Sequence, residues 1–506
     1  MIQSLRGALA LFLTLAILVI PAGATWSIVL TNTKTGEVIV ASATCVPNLD
    51  LLKLLPVVRV DIGGAAAQSW GDTGAVNRMK IWSGFSQGDR PSKILDTLAN
   101  TDNLHQFRQY GIVNFKSTPV TFTGSGAGDA KKGVTGVVGD LRYAIQGNVL
   151  TAEQVILAAE SALLNSAGDM GQRVMAAMEA ARALGGDGRC SCSQQAPTSC
   201  GAPPASFTKS AHIGFFVIAR HGDTDGVCTG PTGCANGNYY LTLNEVAGAG
   251  GPDPVLSMAS KYTTWRTSLI GHPDHVLSRM TPGASRLVAD GQTATTVFIE
   301  LRDVDDIPLA GGGAAVTLAH AGASLTSLGP VTDYGNGMYS FDVTAGLVSG
   351  KDTIEVTVDD GTVQATLYPP LKFSIDPASE LHAGEKAISA AAAIEVPFTI
   401  NFGAWNAGSA YILLASMTGT SPGTPVGAQV LPLNWDQLSI YTLNHPGAPI
   451  LPGSFGVLDA SGRATAHLKA PAGLLSAFVG LHLDWAAVAL TQPESISTTV
   501  GLNVLP

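Results

Sequence analysis

Thr25-Trp26-Ser27-Ile28-Val29-Leu30 reads as a strand, Thr31-Asn32-Thr33-Lys34-Thr35-Gly36 as a turn cluster, and Glu37-Val38-Ile39-Val40-Ala41-Ser42 as a second strand. Together they predict a buried hairpin at the start of a folded domain. Upstream lie the three parts of a secretory leader. Arg6 supplies a positive n-region, Ala8 to Ile20 an apolar run, and Pro21 breaks it ahead of Ala22-Gly23-Ala24. Small residues at Ala22 and Ala24 predict cleavage after Ala24, so residues 1–24 read as a signal peptide and Thr25 as the first residue of a secreted chain. An N-terminal threonine carries nucleophile and base in one residue: its hydroxyl attacks while its own α-amine, with a pKa near neutrality, takes the proton.

Composition narrows the class. The chain has 506 residues, too many for one core, which predicts several domains. Only 13% of residues are charged while 58 are glycine, and 46% are hydrophobic, enough to build cores from small-residue, β-rich modules. A net charge of −10 and pI near 5.4 argue against a nucleic-acid partner. Mean hydropathy is +0.26, yet the 8–20 run is too short to cross a bilayer and no later apolar run approaches about 20 residues. Six cysteines fit an oxidising compartment. Cys190-Ser191-Cys192 lacks the two-residue gap of zinc knuckles, so the cysteines read as disulfides of undetermined pairing, with neither metal nor cofactor expected.

Along the first domain, placed at residues 25–281, Val57 to Ile62 alternates as a strand before the run Gly63-Gly64-Ala65-Ala66-Ala67-Gln68. Val76, Met79, Trp82 and Phe85 mark one face of a helix, and Asp89 with Pro91 starts another. Residues 111–115 and 120–123 read as strands. Thr151-Ala152-Glu153-Gln154 predicts a capping box, and Asp169 with Gln172 begins a helix that stops at Gly185-Gly186. Residues 213–219 and 239–243 read as strands again. Strands, helix pairs and more strands predict an α+β layered sandwich with helices outside two sheets.

Several ordered pieces carry a resemblance. Thr25-Trp26-Ser27-Ile28-Val29 with Val40-Ala41-Ser42, residues 59–68, Arg108-Gln109-Tyr110-Gly111-Ile112-Val113, Gln146-Gly147-Asn148-Val149-Leu150, Gly185-Gly186-Asp187-Gly188-Arg189 and Pro252-Asp253-Pro254-Val255-Leu256 resemble the group catalogued as domain of unknown function 1028. The opening hairpin also resembles the proteasome subunits and other N-terminal-nucleophile (Ntn) hydrolases. The resemblance covers residues 25–259 and implies a four-layer αββα Ntn-hydrolase-like sandwich with an N-terminal threonine. Here a Cys- and Pro-rich insertion, residues 190–210, follows the Gly-Asp motif, poised to cover or reshape a site. Residues 244–251, ahead of Pro-Asp-Pro, are Gly-rich and loop-like.

Two all-β sandwiches are expected after it. Residues 282–376 contain strand-like runs at 296–301, 315–318, 337–343 and 353–358. Ala289-Asp290-Gly291-Gln292 and Asp333-Tyr334-Gly335-Asn336-Gly337-Met338-Tyr339 resemble the invasin-type immunoglobulin-like repeats, modules that act as spacers or surface-binding domains. After an Ala-rich linker at 387–393, the last domain (residues 377–506 in all) reads as a further sandwich from its alternating segments and many Pro and Gly turns. It suggests contact with a cell surface or a polysaccharide.

The chemistry-bearing candidates lie in the first domain. Thr25 is the expected nucleophile. The amides of Gln68 and Asn148 are candidate oxyanion donors, or else satisfy backbone groups in turns. Asp187 and Arg189 could orient the amine or bind a substrate carboxylate, or form a structural ion pair. Neither Lys53 nor Lys80 is placed by the sequence to tune the amine. Gly124 to Gly128 mimics a phosphate loop without its Gly-Lys-Ser/Thr, and His272-Pro273-Asp274-His275 lacks a partner motif for a metal. Two functions follow: a secreted Ntn-type amidohydrolase acting through an acyl-enzyme on a small amide or peptide, or a non-catalytic surface adhesion protein on the same scaffold.

Overall fold

The computed structural model describes residues 25–506 apart from 347, 377–379, 404, 405, 428 and 491–494; the expected leader, residues 1–24, lies outside the described residues. Contacts divide the chain into two compact units, the second starting at Gly271.

The first unit is built on β1 (Thr25–Asn32) and β2 (Glu37–Thr44), the hairpin read from the sequence. Every residue of both strands is buried, because both faces of their sheet are covered. In chain order there follow α1 (Leu51–Leu54), β3 (Pro56–Arg59), β4 (Gly63–Ser69), α2 (Val76–Ser86) and α3 (Pro91–Thr101). Next come β5 (Arg108–Asn114), β6 (Val120–Thr123), β7 (Lys132–Val138), β8 (Leu141–Asn148), α4 (Gln154–Asn165) and α5 (Met170–Ala183). A one-turn α6 (Gly188–Ser191), β9 (Ile213–Ala219), β10 (Leu241–Glu245) and α7 (Pro254–Thr267) complete it.

The strands form two sheets, β10-β9-β2-β1-β8-β7 and β3-β4-β5-β6. Alternation along β1 sends Trp26, Ile28 and Leu30 against α4, α5 and α7, through Ile156, Val174, Met178 and Met258. Val29, Val38 and Val40 face the other way, onto Val58, Ala66 and Val113 of the second sheet. That sheet's outer face packs Ala65, Ala67 and Ile112 on Ile81 and Phe85 of α2 and Ile94 and Leu98 of α3. The layers are α, β, β, α, as expected. Small residues in β4 and β5 set the spacing between the sheets. A Cβ on Gly64 would press on Val38 and Val40 at 3.0 Å, and one on Gly111 would lie 2.1 Å from Gln146 Oε1.

Two local expectations need correction. The buried face of α2 holds Asn77, Arg78, Ile81, Gly84 and Phe85, while Val76 and Met79 are exposed. Arg78 turns inward because its guanidinium finds carbonyl acceptors on Lys53 and Asp72, so a charged residue occupies a place that apolar periodicity assigns elsewhere. Thr151 does not cap α4: its hydroxyl donates to the Leu184 carbonyl at 2.7 Å. The box at α5 does form, with Asp169 accepting from Gln172 N and Gln172 Oε1 accepting from Asp169 N.

In the second unit, Arg279–Pro282, Ala294–Glu300, Met338–Ala345 and Thr326–Leu328 form one sheet in that order, with Thr332–Asp333 also on Met338–Ala345. Arg279–Pro282 pairs with Ala294–Glu300, so it belongs to this sandwich and the first domain ends earlier than residue 281. Arg286–Val288, Leu371–Asp376, Gly350–Asp359 and Ala315–His320 form the facing sheet. Between the sheets lie Val297, Ile299, Phe341, Val356 and Phe373.

The last sandwich has Glu380–Ala383, Ile394–Asn401 and Arg463–Ala470 in one sheet. The other sheet joins Ala387–Ser389, Val500–Leu505, His482–Ala489, Ala410–Ser416 and Phe455–Val457. Part of the expected Ala-rich linker is therefore a strand, Ala387–Ser389, paired in parallel with Val500–Leu505. A helix that the sequence reading passed over, α8 (Gln437–Asn444), packs beside Ala410–Ser416.

Asp436 holds this helix in place. Its Oδ1 accepts from Leu438 N and Ser439 N, both at 2.9 Å, and its Oδ2 from Met417 N, Thr418 N and the hydroxyls of Ser416 and Thr418. Burial alone would raise its pKa, but these hydrogen bonds outweigh burial and hold it down to about 2. An acid depressed below its usual value of about 3.9 stabilises the fold above pH ~4, and that contribution is lost as pH falls from ~4 to ~2. Asp436→Ala is therefore expected to destabilise the chain by about 1–2 kcal/mol at pH 7. In thermal melts against pH, the gap from Asp436→Asn should close on approaching pH 2; a gap independent of pH would refute the assignment.

Candidate active site

The end of β1 that carries Thr25 lies against both neighbouring strands. Thr25 stands opposite Thr44 of β2 and Asn148 of β8, and it is 4% exposed. It lines a cavity of about 260 Å³ whose walls come from the chain after β2, from α1, from the end of β4 and from the loop around α6. One side is apolar, with Val46, Pro47, Leu49, Leu51 and Leu54. Gln68, Ser69, Arg189 and Gln194 supply the polar side.

Behind Thr25 runs a buried polar chain between the two sheets. Gln68 Nε2 donates to the Thr25 carbonyl at 2.9 Å and to Gln109 Oε1 at 2.7 Å. Gln68 Oε1 accepts from the Ser27 hydroxyl, which in turn accepts from Gln146 Nε2. Gln109 Nε2 donates to the Gly147 carbonyl and to Thr123 Oγ1, both at 2.9 Å. Ser27, Gln68, Gln109 and Gln146 are all buried, so their hydrogen bonds replace water that the layers exclude. Gln68 thus spends both amide hydrogens on protein acceptors: it fixes the Thr25 backbone and has none left for an oxyanion. Asn148 Nδ2 donates to the Ala127 carbonyl at 2.9 Å and, at a longer 3.3 Å, to Ser69 Oγ. Asn148 neighbours Thr25 in register but does not line the cavity.

Asp187 and Arg189 come together beside this site. Arg189 Nη2 lies 2.9 Å from Asp187 Oδ2, and Arg189 Nε donates to Oδ1 at 3.2 Å. The carboxylate also accepts from Cys45 N at 2.7 Å and Arg189 N at 3.1 Å, which ties the end of β2 to the start of α6. Burial pushes the Asp187 carboxyl up, and the adjoining guanidinium and N–H groups pull against it. Arg189 reaches the cavity as the one cation among its described lining residues.

The cysteines pair as Cys45–Cys190, Cys192–Cys200 and Cys228–Cys234. The first bridge joins the chain next to Thr44 to α6, and Gln194 of the insertion lines the cavity beside Arg189, which directly precedes the insertion. His212 lies near that bridge, its ligand atom and the two sulphurs all within 4.8 Å of one another. A disulfide holds both sulphurs, and disulfide sulphur is not the thiolate a metal needs. The lysines lie elsewhere. Lys53 pairs with Asp50 at 3.6 Å and Lys80 donates to Thr101 at 2.7 Å.

These two units define the class: an αββα domain with a threonine-lined cavity, joined to immunoglobulin-like β-sandwiches. Residues 25–196 match the family of unknown function DUF1028, and residues 274–369 match invasin, domain 3. Among solved structures, a DUF1028 protein from Silicibacter pomeroyi is 18% identical over 48% of this chain and 88% of its own, with a TM-score of 0.34. The Yersinia pseudotuberculosis adhesin InvE is 21% identical over 46% of this chain and 61% of its own, at 0.20. Invasin, a bacterial integrin-binding protein, is 13% identical over 58% and 46%, at 0.21. No curated protein matches the chain.

Proposed function

We propose that the first unit is an N-terminal-threonine amidohydrolase of a secreted or surface protein, carried on sandwich modules that place it at a cell surface. The observation that carries this reading is the position of Thr25, at the first residue of the central strand and on the wall of a cavity. Cleavage after Ala24 frees its α-amine. The amine takes the hydroxyl proton as Thr25 Oγ attacks the amide carbon, and passes it to the leaving nitrogen as the C–N bond breaks. Water then hydrolyses the ester, releasing an acid and restoring the hydroxyl.

The neighbouring side chains suit supporting roles. Gln68 positions Thr25 through its carbonyl. Asn148 is the candidate oxyanion donor: it stands behind the cavity wall and would reach a substrate oxygen by giving up its longer bond, to Ser69 on that wall. Arg189 would meet a substrate carboxylate, and the leucine wall an apolar acyl group. The invasin domain 3 supports the surface location. Among the described residues no helix is long and apolar enough to cross a membrane.

A second reading is a surface-binding protein that does not catalyse. It is favoured by the lack of any lysine among the described residues lining the cavity, since a lysine near the amine would lower its pKa. Mass spectrometry of the N-terminal peptide from culture supernatant, followed by a β-lactone probe, separates the two. A free Thr25 amine and a labelled Thr25 support the hydrolase. A different or blocked terminus, or a free terminus that stays unlabelled, leaves the binding protein.

A further inference from the structure

The last sandwich contains a second, larger cavity of about 590 Å³. Its floor is core: Leu451, Leu468, Leu475, Leu483 and Trp485 are all buried, so the space belongs to the packed fold and does not depend on a ligand to open it. One wall is α8, pinned by Asp436 as described above. Leu474 and Phe478 also line the cavity.

The lining chemistry selects the occupant. No charged side chain is among the described lining residues, so a buried charge would lose its water without gaining a partner. Of the polar groups, the Thr442 hydroxyl is already spent, donating to Ser439 O and accepting from Ala415 N. Gln437 and the Tyr441 hydroxyl remain, on exposed residues of α8 at the mouth. The site therefore offers a mainly apolar interior, into whose lining the buried Trp485 indole also brings an Nε1–H without a hydrogen-bond partner, and further polar groups on the exposed residues of α8. The volume is ample for one drug-sized ligand. No lysine or arginine among the lining residues offers the basic contact that draws a protein to an anionic bilayer.

We propose that this cavity binds a single-chain amphiphile, a free fatty acyl or alkyl chain, with its tail against Leu468, Leu475 and Trp485 and its head beside Gln437 and Tyr441.

The test is a titration of the full secreted chain with cis-parinaric acid, whose fluorescence rises in apolar sites, followed by displacement with dodecanol. Saturable binding of one equivalent, reversed by dodecanol, is expected. Leu474→Asp places a charge at the mouth, at a residue already 52% exposed, and should weaken binding at least tenfold. Ala448→Phe should weaken it similarly by filling the space. Val457→Asp, 66% exposed and outside the lining, should leave it unchanged. Circular dichroism establishes that each variant is folded. Three results would overturn the proposal: no saturable signal from the folded chain, parental affinity in both cavity variants, or capture by phosphatidylcholine vesicles without binding of the free amphiphile.

Discussion

Thr25→Ala is expected to lower amide turnover by at least about a thousandfold and to abolish β-lactone labelling, because nucleophile and base act as one unit. The fold should survive the change. Backbone pairing of Thr25 with Thr44 and Asn148, and the Gln68 bond to its carbonyl, do not involve its side chain. Loss of one buried hydroxyl costs about 1 kcal/mol, which for a domain of this size lowers the melting temperature by roughly 2–4 °C. Thr25→Ser keeps a hydroxyl and should still be labelled. A variant that melts like the parent but neither turns over nor labels would fix the chemistry on Thr25. Equal turnover in Thr25→Ala would exclude the mechanism outright.

The hairpin was legible in the sequence because β1 and β2 carry the apolar runs Ile28-Val29-Leu30 and Val38-Ile39-Val40-Ala41 and the turn between them is dense in Thr, Asn and Gly. A strand covered on both faces must be written that way. The αββα layering follows from resemblance as much as from periodicity, and β7 and β8 give no clear strand pattern because Gly, Arg and Gln interrupt their apolar residues. Those interruptions have reasons. Gly133 and Gly136 lie against the side chains of Thr121 and Tyr143, and Gln146 belongs to the polar chain between the sheets. Missing β8 hid the most useful fact about the site, that Asn148 is the cross-strand neighbour of Thr25 although 123 positions separate them in the chain. Asp187 and Arg189 were legible as a pair, since two residues flanking one glycine can reach each other. Their attachment to Cys45 N was not, because it depends on tertiary approach alone.

Removing the Cys45–Cys190 bridge, by Cys45→Ala with Cys190→Ala, should cost the first unit more than any other disulfide. The bond spans 145 positions, against 8 for Cys192–Cys200 and 6 for Cys228–Cys234. In the chain-entropy account the stabilisation grows with the logarithm of the closed loop, giving about 5 kcal/mol for the long bridge and roughly 2 kcal/mol for each short one. At about 2–4 °C per kcal/mol, the long-bridge variant should melt roughly 10–20 °C below the parent. Cleavage should also be impaired at temperatures where the variant stays folded. Cys45 lines the cavity next to Thr44, the residue opposite Thr25, and Arg189 precedes Cys190. After the bridge is lost, the bond from Cys45 N to Asp187 still joins the end of β2 to the start of α6, and a wall freer to shift weakens a site that depends on fixed geometry. Melting curves of the three paired-alanine variants, with labelling rates measured well below each transition, test both halves. Equal melting temperatures would refute the loop-length ordering, and a labelling rate equal to the parent's would show that the wall holds without the bridge.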